Sequence, residues 1–557
     1  MVTGPITLTP LEVIAAYPAH DYTLAGALAS RVAVKGEQPF LLFEAKTWTW
    51  VTFANATERA ASMLSARGIR KGDSVAIMAT NSDAHVLLLF ALARIGAVFV
   101  PVNPEFGVAE AGYVLGHAGV SAVVCSSKTL EIVRAAVHEI APAPWLALVD
   151  GTKEDVPDFF EIVSSSRTCE STRTRNPGET SVTADDTVAI VYTSGTTGFP
   201  KGVMHSQRNL VLAGERHVSR VHLQPGDRTL CVLPMFHVNA IFNMLASTLA
   251  AGSCLVLAPR FSASDFWRLA ADNGATQVNV MAAVSTILAR RPRSEFVAGH
   301  RLRVANGSGF TQETLDVFRN EFGIPTIIEG LGMTEIPGAF SNPFEGPHKL
   351  GAMGKPGVHP DPSVQWTQAR IVDDDGRDVP EGAVGELAVR IPTLMQGYFR
   401  DPEQTAASFR DGWFVTGDLV RRDGDGYFHF VARKKDIIRR RGENIAGAEL
   451  DRVLAEHPDV SEAAAIAVDS ELGDDEVMVV VVPKAGGNLT PEHIRQWCAE
   501  RLAAHKVPRF VVFEEALPHT PTHKVAKHVL KQDRSLRERA IDFAPPITDD
   551  RTAARSL

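Results

Sequence analysis

Val75-Ala76-Ile77-Met78-Ala79 is an unbroken apolar run, and the residues after it repeat a pattern that decides the fold. Residues 84–95 carry apolar side chains at helical spacing, Gly96 interrupts them, and 98–102 is again short and apolar. A helix after Phe106, then Gly119, then a strand over 122–125 complete the unit. The same order returns later: a strand at 230–233, a helix at 240–250, Gly252, a strand at 254–257, a helix after Phe261, Gly274 and a strand at 276–280. In both copies the second glycine lies thirteen residues beyond the phenylalanine. Short apolar strands alternating with helices predict parallel βαβ units covered on both faces. The expected class is therefore α/β, with two related subdomains in tandem.

Working outward, residues 164–185 are rich in Ser and Thr and read as a loop. From about residue 364 to 430 short strands and turns, such as Gly385-Glu386-Leu387-Ala388-Val389, predict a small antiparallel β subdomain. After Arg433 the expectation is a compact α+β unit with a strand at 477–482 and a helix at 491–505. The tail beyond Lys531 is polar and is expected to be loosely ordered.

The chain has 557 residues, 45% apolar and 22% charged, which is ample for large cores and excludes a disordered or collagen-like chain. With 56 basic against 65 acidic residues the net charge is −9, which argues against a general nucleic-acid binder but not against a local phosphate site. Cys125, Cys169, Cys231, Cys254 and Cys498 form no CxxC pair, the usage of a reducing, cytoplasmic compartment. The first basic residue is Arg31, so no secretory head is expected. The uncharged run 238–259 is long enough to span a bilayer, yet it contains Asn239, Asn243 and an Ala251-Gly252 break. It reads as a buried helix turning into a strand, without integral membrane contact.

Chemistry concentrates in Tyr192-Thr193-Ser194-Gly195-Thr196-Thr197-Gly198-Phe199-Pro200-Lys201-Gly202, directly after a strand at 188–191. Five hydroxyls, glycine N–H groups and a lysine in one loop are what a polyphosphate needs. A Walker A loop is excluded because Lys201 is followed by Gly202, and no G-x-G-x-x-G opens a helix.

This loop closely resembles the phosphate loop of the acyl-adenylate-forming superfamily, and further motifs follow in that family's order. They are Pro234-Met235-Phe236-His237, Gly332-Met333-Thr334-Glu335, Trp413-Phe414-Val415-Thr416-Gly417-Asp418, Arg433-Lys434-Lys435-Asp436, Gly442-Glu443-Asn444-Ile445 and Pro521-Thr522-His523-Lys524. The resemblance spans roughly residues 25–531 and implies an adenylation domain over 1–434 and a mobile C-terminal α+β domain over 435–557. It implies ATP, Mg²⁺ and coenzyme A as cofactors, with a small-molecule carboxylate as substrate and no nucleic acid; a homodimer is left open. Thr193, Ser194, Gly195, Thr196, Thr197, Gly198 and Lys201 would cradle phosphates, and Glu335 would hold Mg²⁺ beside Thr334. Gly307, Ser308, Gly309, Glu329, Gly330, Leu331, Gly332 and Met333 would line the nucleotide, with Asp418 and Arg433 at the ribose. Lys524 would stabilise the charge that develops on the α-phosphate during adenylation. His237 would form a gate, with Val238, Asn239, Ala282, Ala283 and Gly307 at the acid. Lys435 would be the hinge, and Arg440, Arg441, Gly442 and Glu443 would face coenzyme A.

Two positions depart from the family pattern. Leu331 stands where an aromatic ring usually stacks on adenine, and His523 where a glycine usually precedes the lysine. The implied activity is an AMP-forming acyl-CoA ligase acting on a fatty or other small organic acid. Alternatives are a carnitine/crotonobetaine-type or aryl carboxylate CoA ligase, a stand-alone adenylation enzyme without CoA transfer, and a non-catalytic nucleotide-binding protein.

Overall fold

The computed structural model describes residues 7–166, 181–193, 200–440, 443–469, 475–484, 486, 488–519 and 525–543. It is divided into two compact units. The first comprises residues up to Arg370, Ala388–Val415 and Arg422–His429; the second comprises Ile371–Leu387, Thr416–Arg421 and the chain from Phe430 onward.

In the first unit the tandem repeat is visible as strand order. Ser74–Met78 lies between Val98–Pro101 and Val120–Cys125, all parallel. Arg228–Cys231 lies between Cys254–Leu257 and Gln277–Met281 in the same arrangement. The first sheet continues through Thr187–Thr193 on one side and Trp145–Leu148 on the other. The second continues through Val304–Ser308 and Thr326–Glu329, and through Pro39–Phe43 on its other side.

The repeated glycines have a shared cause. Gly96 and Gly252 end the helices Asp83–Ile95 and Ala246–Ala251 with φ of 73° and 60°, a left-handed conformation that turns the chain into the next strand. The apolar helix Asp83–Ile95 is buried on nearly every side, in a core with Phe40, Trp50, Phe53 and Phe242. The uncharged run is indeed a helix turning at Gly252 into the strand Cys254–Leu257. Among the described residues no helix is long and apolar enough to cross a membrane.

Outside the two repeats the sheets also carry antiparallel strands. Lys201–Ser206 runs antiparallel to Thr187–Thr193, pairing Tyr192 with Gly202 and Thr193 with Lys201. The hydroxyl-rich loop thus joins two strands of a hairpin. Short strands replace the α/β pattern as expected, at Gln368–Val372, Gly385–Arg390, Trp413–Arg422 and Phe428–Arg433.

In the second unit Val460–Asp469 and Asp475–Pro483 pair antiparallel, and Phe510–Phe513 adds in parallel. Leu450, Ile494 and Cys498 cover one face with Val477, Val479 and Val481; Leu530 and Leu536 cover the other with Met478 and Val480. The helix expected to reach residue 505 ends at Arg501, where Leu502 turns extended. The described part of the tail, to residue 543, is more ordered than its polarity suggested. Leu536, on the short helix Ser535–Arg539, is buried, and Ile541–Asp542 pairs with Phe510–Phe513.

Candidate active site

The second sheet of the first unit presents the carboxyl ends of its parallel strands at Met281, Ser308 and Glu329, where ligands of open α/β sheets bind. Register sets Met281 beside Ser308 and Gly307 beside Glu329, and Gly330 donates its N–H to Gly307 O at 3.1 Å. Gly309 approaches Ala282 so closely that a Cβ there would lie 2.8 Å from the alanine Cβ. Asn279 Nδ2 donates to Asn239 Oδ1 at 2.8 Å, which ties the helix after His237 to the same strand ends. Gly307–Gly309, Glu329, Gly330, Ala282 and Asn239 are therefore neighbours. Glu329 turns inward to accept from Phe310 N at 3.2 Å; burial pushes its carboxyl up, against the N–H groups of Phe310, Gly351 and Gly309. His237 opens the helical segment beside the ring of Phe236, at 4.4 Å between centroids. Val238 then leads into a wide π-turn at Asn239–Leu245, a geometry frequent at functional sites.

Thr334 and Glu335 are held by residues that the motifs did not single out. Tyr398 donates its hydroxyl to Glu335 Oε1 at 2.9 Å, and Met395 N donates to Glu335 O at 2.9 Å. His205 Nε2 donates to Thr334 O at 2.7 Å while Asn209 Nδ2 donates to His205 Nδ1 at 3.1 Å. Burial pushes the His205 imidazole down to about 4, so it is neutral with its proton on Nε2. Lys201 Nζ donates to Gln404 Oε1 at 2.9 Å and lies 5.3 Å from the Tyr398 ring centre. One signal for His205 was available: it sits four residues past Lys201 on the strand leaving the loop. Tyr398 had no local signal; pairing of Gly397–Tyr398 with Val203 and Met204 brings it in.

The donor set fits a magnesium ion that arrives with a nucleotide. Among the described residues no group of three or more His, Cys, Asp or Glu is placed to hold a metal. Glu335 is a single buried carboxylate, and Mg²⁺ is typically held by one or two carboxylates together with phosphates and water.

In the second unit Asp418 is fully buried and pairs with Arg433 Nε at 2.6 Å. Asp418 N donates to Thr416 Oγ1, which itself donates to Leu387 O. Lys434 pairs with Glu386 at 2.9 Å and Asp374 at 2.8 Å. Lys435 lies in the tight turn Lys434–Asp436, and its carbonyl accepts from Lys531 Nζ at 3.2 Å. Arg440 requires correction. Expected to face coenzyme A, it is buried, pairs with Glu476 at 2.5 Å and donates to His505 O and Val507 O. Its charge is committed inside the unit. Glu443 begins the strand Glu443–Ala446. Ser194, Gly195, Thr196, Thr197, Gly198, Arg441, Gly442, His523 and Lys524 lie outside the described residues. Leu331, Gly332 and Met333 are described; Leu331 O accepts from Phe340 N at 3.2 Å.

Comparison with known proteins agrees with this arrangement. The AMP-binding enzyme family model matches residues 28–399, and that of the AMP-binding enzyme C-terminal domain matches 449–524. Sulfoacetate–CoA ligase of Cupriavidus necator is 33% identical, covering 91% of this chain and 96% of its own. Crotonobetaine/carnitine–CoA ligase of Proteus mirabilis is 32% identical, covering 85% and 91%. The crystal structure of ATP-bound MatB from Rhodopseudomonas palustris superimposes with a TM-score of 0.78 at 27% identity, covering 91% and 98%. The chain belongs to the AMP-binding enzyme family, on its acyl-CoA ligase branch.

Proposed function

We propose that this AMP-forming acyl-CoA ligase activates a small organic acid in two half-reactions whose demands fall on different residues. In the first, a carboxylate oxygen of the acid bonds to the α-phosphorus of ATP and the bond to pyrophosphate breaks, leaving acyl-AMP. In the second, the thiol of coenzyme A loses its proton, bonds to the acyl carbon and displaces AMP.

The observation that carries the assignment is the hold on Glu335 and Thr334 from two sides, by Tyr398 and by the Asn209–His205 relay. Such fixation keeps a carboxylate ready for the nucleotide's Mg²⁺ and keeps the Thr334 hydroxyl near a phosphate oxygen. The metal, when bound, neutralises phosphate charge. The loop between Thr193 and Lys201 receives the phosphates, and Asp418 receives ribose hydroxyls with Arg433 as its counter-charge. Lys524 supplies positive charge to the first half-reaction, and Lys435, at the domain junction that the family resemblance implies, is the pivot. Ala282, Ala283 and Gly309 are small and exposed at the strand ends, which supports a compact acid. Cys125, Cys231, Cys254 and Cys498 are free thiols, which supports a cytoplasmic location.

The test is pyrophosphate release over a panel of carboxylates, with and without coenzyme A. Acid-dependent release with thioester formation is expected. Release without thioester would indicate a stand-alone adenylation enzyme, and neither product a nucleotide-binding protein.

A further inference from the structure

The helix Gln207–Val221 carries two arginines, Arg216 and Arg220, one turn apart and only 2% and 8% exposed. Among the described residues neither has an acidic partner within ion-pair distance. Glu215 beside them is engaged by His359 at 3.1 Å. Arg216 donates Nη2 to Ser341 Oγ at 2.8 Å, but its Nε and Nη1, the Nε of Arg220 and both ring nitrogens of His217 meet no acceptor or donor in the described chain. Two like charges buried side by side are costly unless an anion offsets them.

Their position is beside Gly330, in the cluster at the strand ends that also holds Gly307, Ala282 and Asn239. A Cβ on Gly330 would lie 2.5 Å from Arg220 Nη2, so this guanidinium sits directly against the glycine that precedes Leu331. A Cβ on Gly357 would lie 2.9 Å from Arg216 Nε. The sheet face beneath the helix is polar as well. Leu230, Val278, Val280 and Ala305 point to the apolar core, so Thr229, Gln277, Asn279 and Asn306 alternate onto the opposite face, with Val304 and Ile328 against Val218. Register pairs Gln277 with Thr229 and Asn279 with Asn306, all at most 1% exposed. Thr229 Oγ1, Gln277 Oε1 and Asn306 Oδ1 are unpartnered in the described chain. This seam reaches the partly exposed Asn239 through Asn279.

We propose that the acid is short and carries a second anionic group, a carboxylate or a sulfonate, at its far end, and that Arg220 and Arg216 meet that charge while the amide seam orients it. The inference rests on the ligase reading above. A fatty chain would lay methylenes against unpaired amides, which a site built for hydrogen bonds rejects strongly. A neutral hydroxy acid would satisfy amides and leave both guanidinium charges uncompensated.

The test uses the full chain with ATP, Mg²⁺ and coenzyme A, and compares malonate, succinate, glutarate and sulfoacetate with propanoate, butanoate, pentanoate, hexanoate and 4-hydroxybutanoate. The expected result is a kcat/KM at least about a hundredfold higher for a doubly anionic acid than for the monoanion of equal length, the scale of a buried charge pair. Succinate against sulfoacetate separates the carboxylate and sulfonate sources. In Arg220→Gln, with folding checked by circular dichroism, that ratio should fall at least about thirtyfold. If Arg220→Gln does not fold, the acid panel on the unaltered chain decides. Equal or better turnover of monoanions, or an unchanged ratio in a folded Arg220→Gln, overturns the inference while the ligase reading stands. No pyrophosphate release with any acid overturns both.

Discussion

Tyr398 ties Glu335 to the strand that leaves the hydroxyl-rich loop: its hydroxyl donates to Glu335 Oε1 at 2.9 Å, and its ring lies 5.3 Å from Lys201 Nζ. The carboxylate expected to hold Mg²⁺ is thus fixed by a residue about sixty positions away in sequence. A hydrogen bond to a charged group contributes about 1.5–3 kcal/mol.

Removing that bond without removing the ring isolates its contribution. Tyr398→Phe should raise the KM for Mg-ATP roughly tenfold, with the melting temperature little changed because the ring still packs. A Mg²⁺ titration at fixed ATP checks it; an unchanged Mg²⁺ dependence would show that Glu335 needs no such support.

His205 makes a statement about acid stability. Burial pushes it from 6.5 down to about 4, and His85 from 6.5 down to about 3, so both are neutral when folded. Between those values and about 6.5 the unfolded chain binds more protons than the folded one. Stability is therefore full above about pH 6.5 and is lost as the pH falls toward 4, by a few kcal/mol in total. Thermal melts from pH 7.5 to 4.5 should show the fall, and His205→Asn should flatten part of it.

The fold was largely legible because the pattern that encodes it is local. Gly96 and Gly252 end helices, the apolar runs between them are strands, and both copies fold in one strand order. The family was legible in motifs that are short strings of sequence. What escaped was whatever depends on contacts distant in sequence. Tyr398 meets Glu335 only through strand pairing, and Arg440, expected to face coenzyme A, is instead paired with Glu476. The buried arginines of Gln207–Val221 escaped for the same reason, since charge in a helix normally marks its wet face.

Leu331 stands at the position where the family resemblance implies a ring against adenine. Stacking contributes about 1–3 kcal/mol, so Leu331→Tyr should lower the KM for ATP several-fold with kcat little changed. An ATP titration of the two proteins checks this. A KM that is unchanged or higher in the tyrosine protein would mean Leu331 is not the adenine platform.

Lys435 occupies the tight turn Lys434–Asp436. Proline there fixes φ near −65° and removes an N–H, which hinders a conformational change at this point. Lys435→Pro should keep adenylation within about threefold and depress thioester formation at least about tenfold, measured by single-turnover assays of each step. Equal retention of both would contradict a pivot at Lys435.

The division of labour between the half-reactions is tested most directly at Lys524. For the best acid of the panel, acid-dependent exchange of labelled pyrophosphate into ATP reports the first step, and thioester formation from supplied acyl-AMP reports the second. Lys524→Ala should slow the exchange at least about a hundredfold, the scale of losing one preorganised transition-state donor, and leave thioester formation within a few-fold. An equal fall in both steps, or exchange at the unaltered rate, would contradict the account.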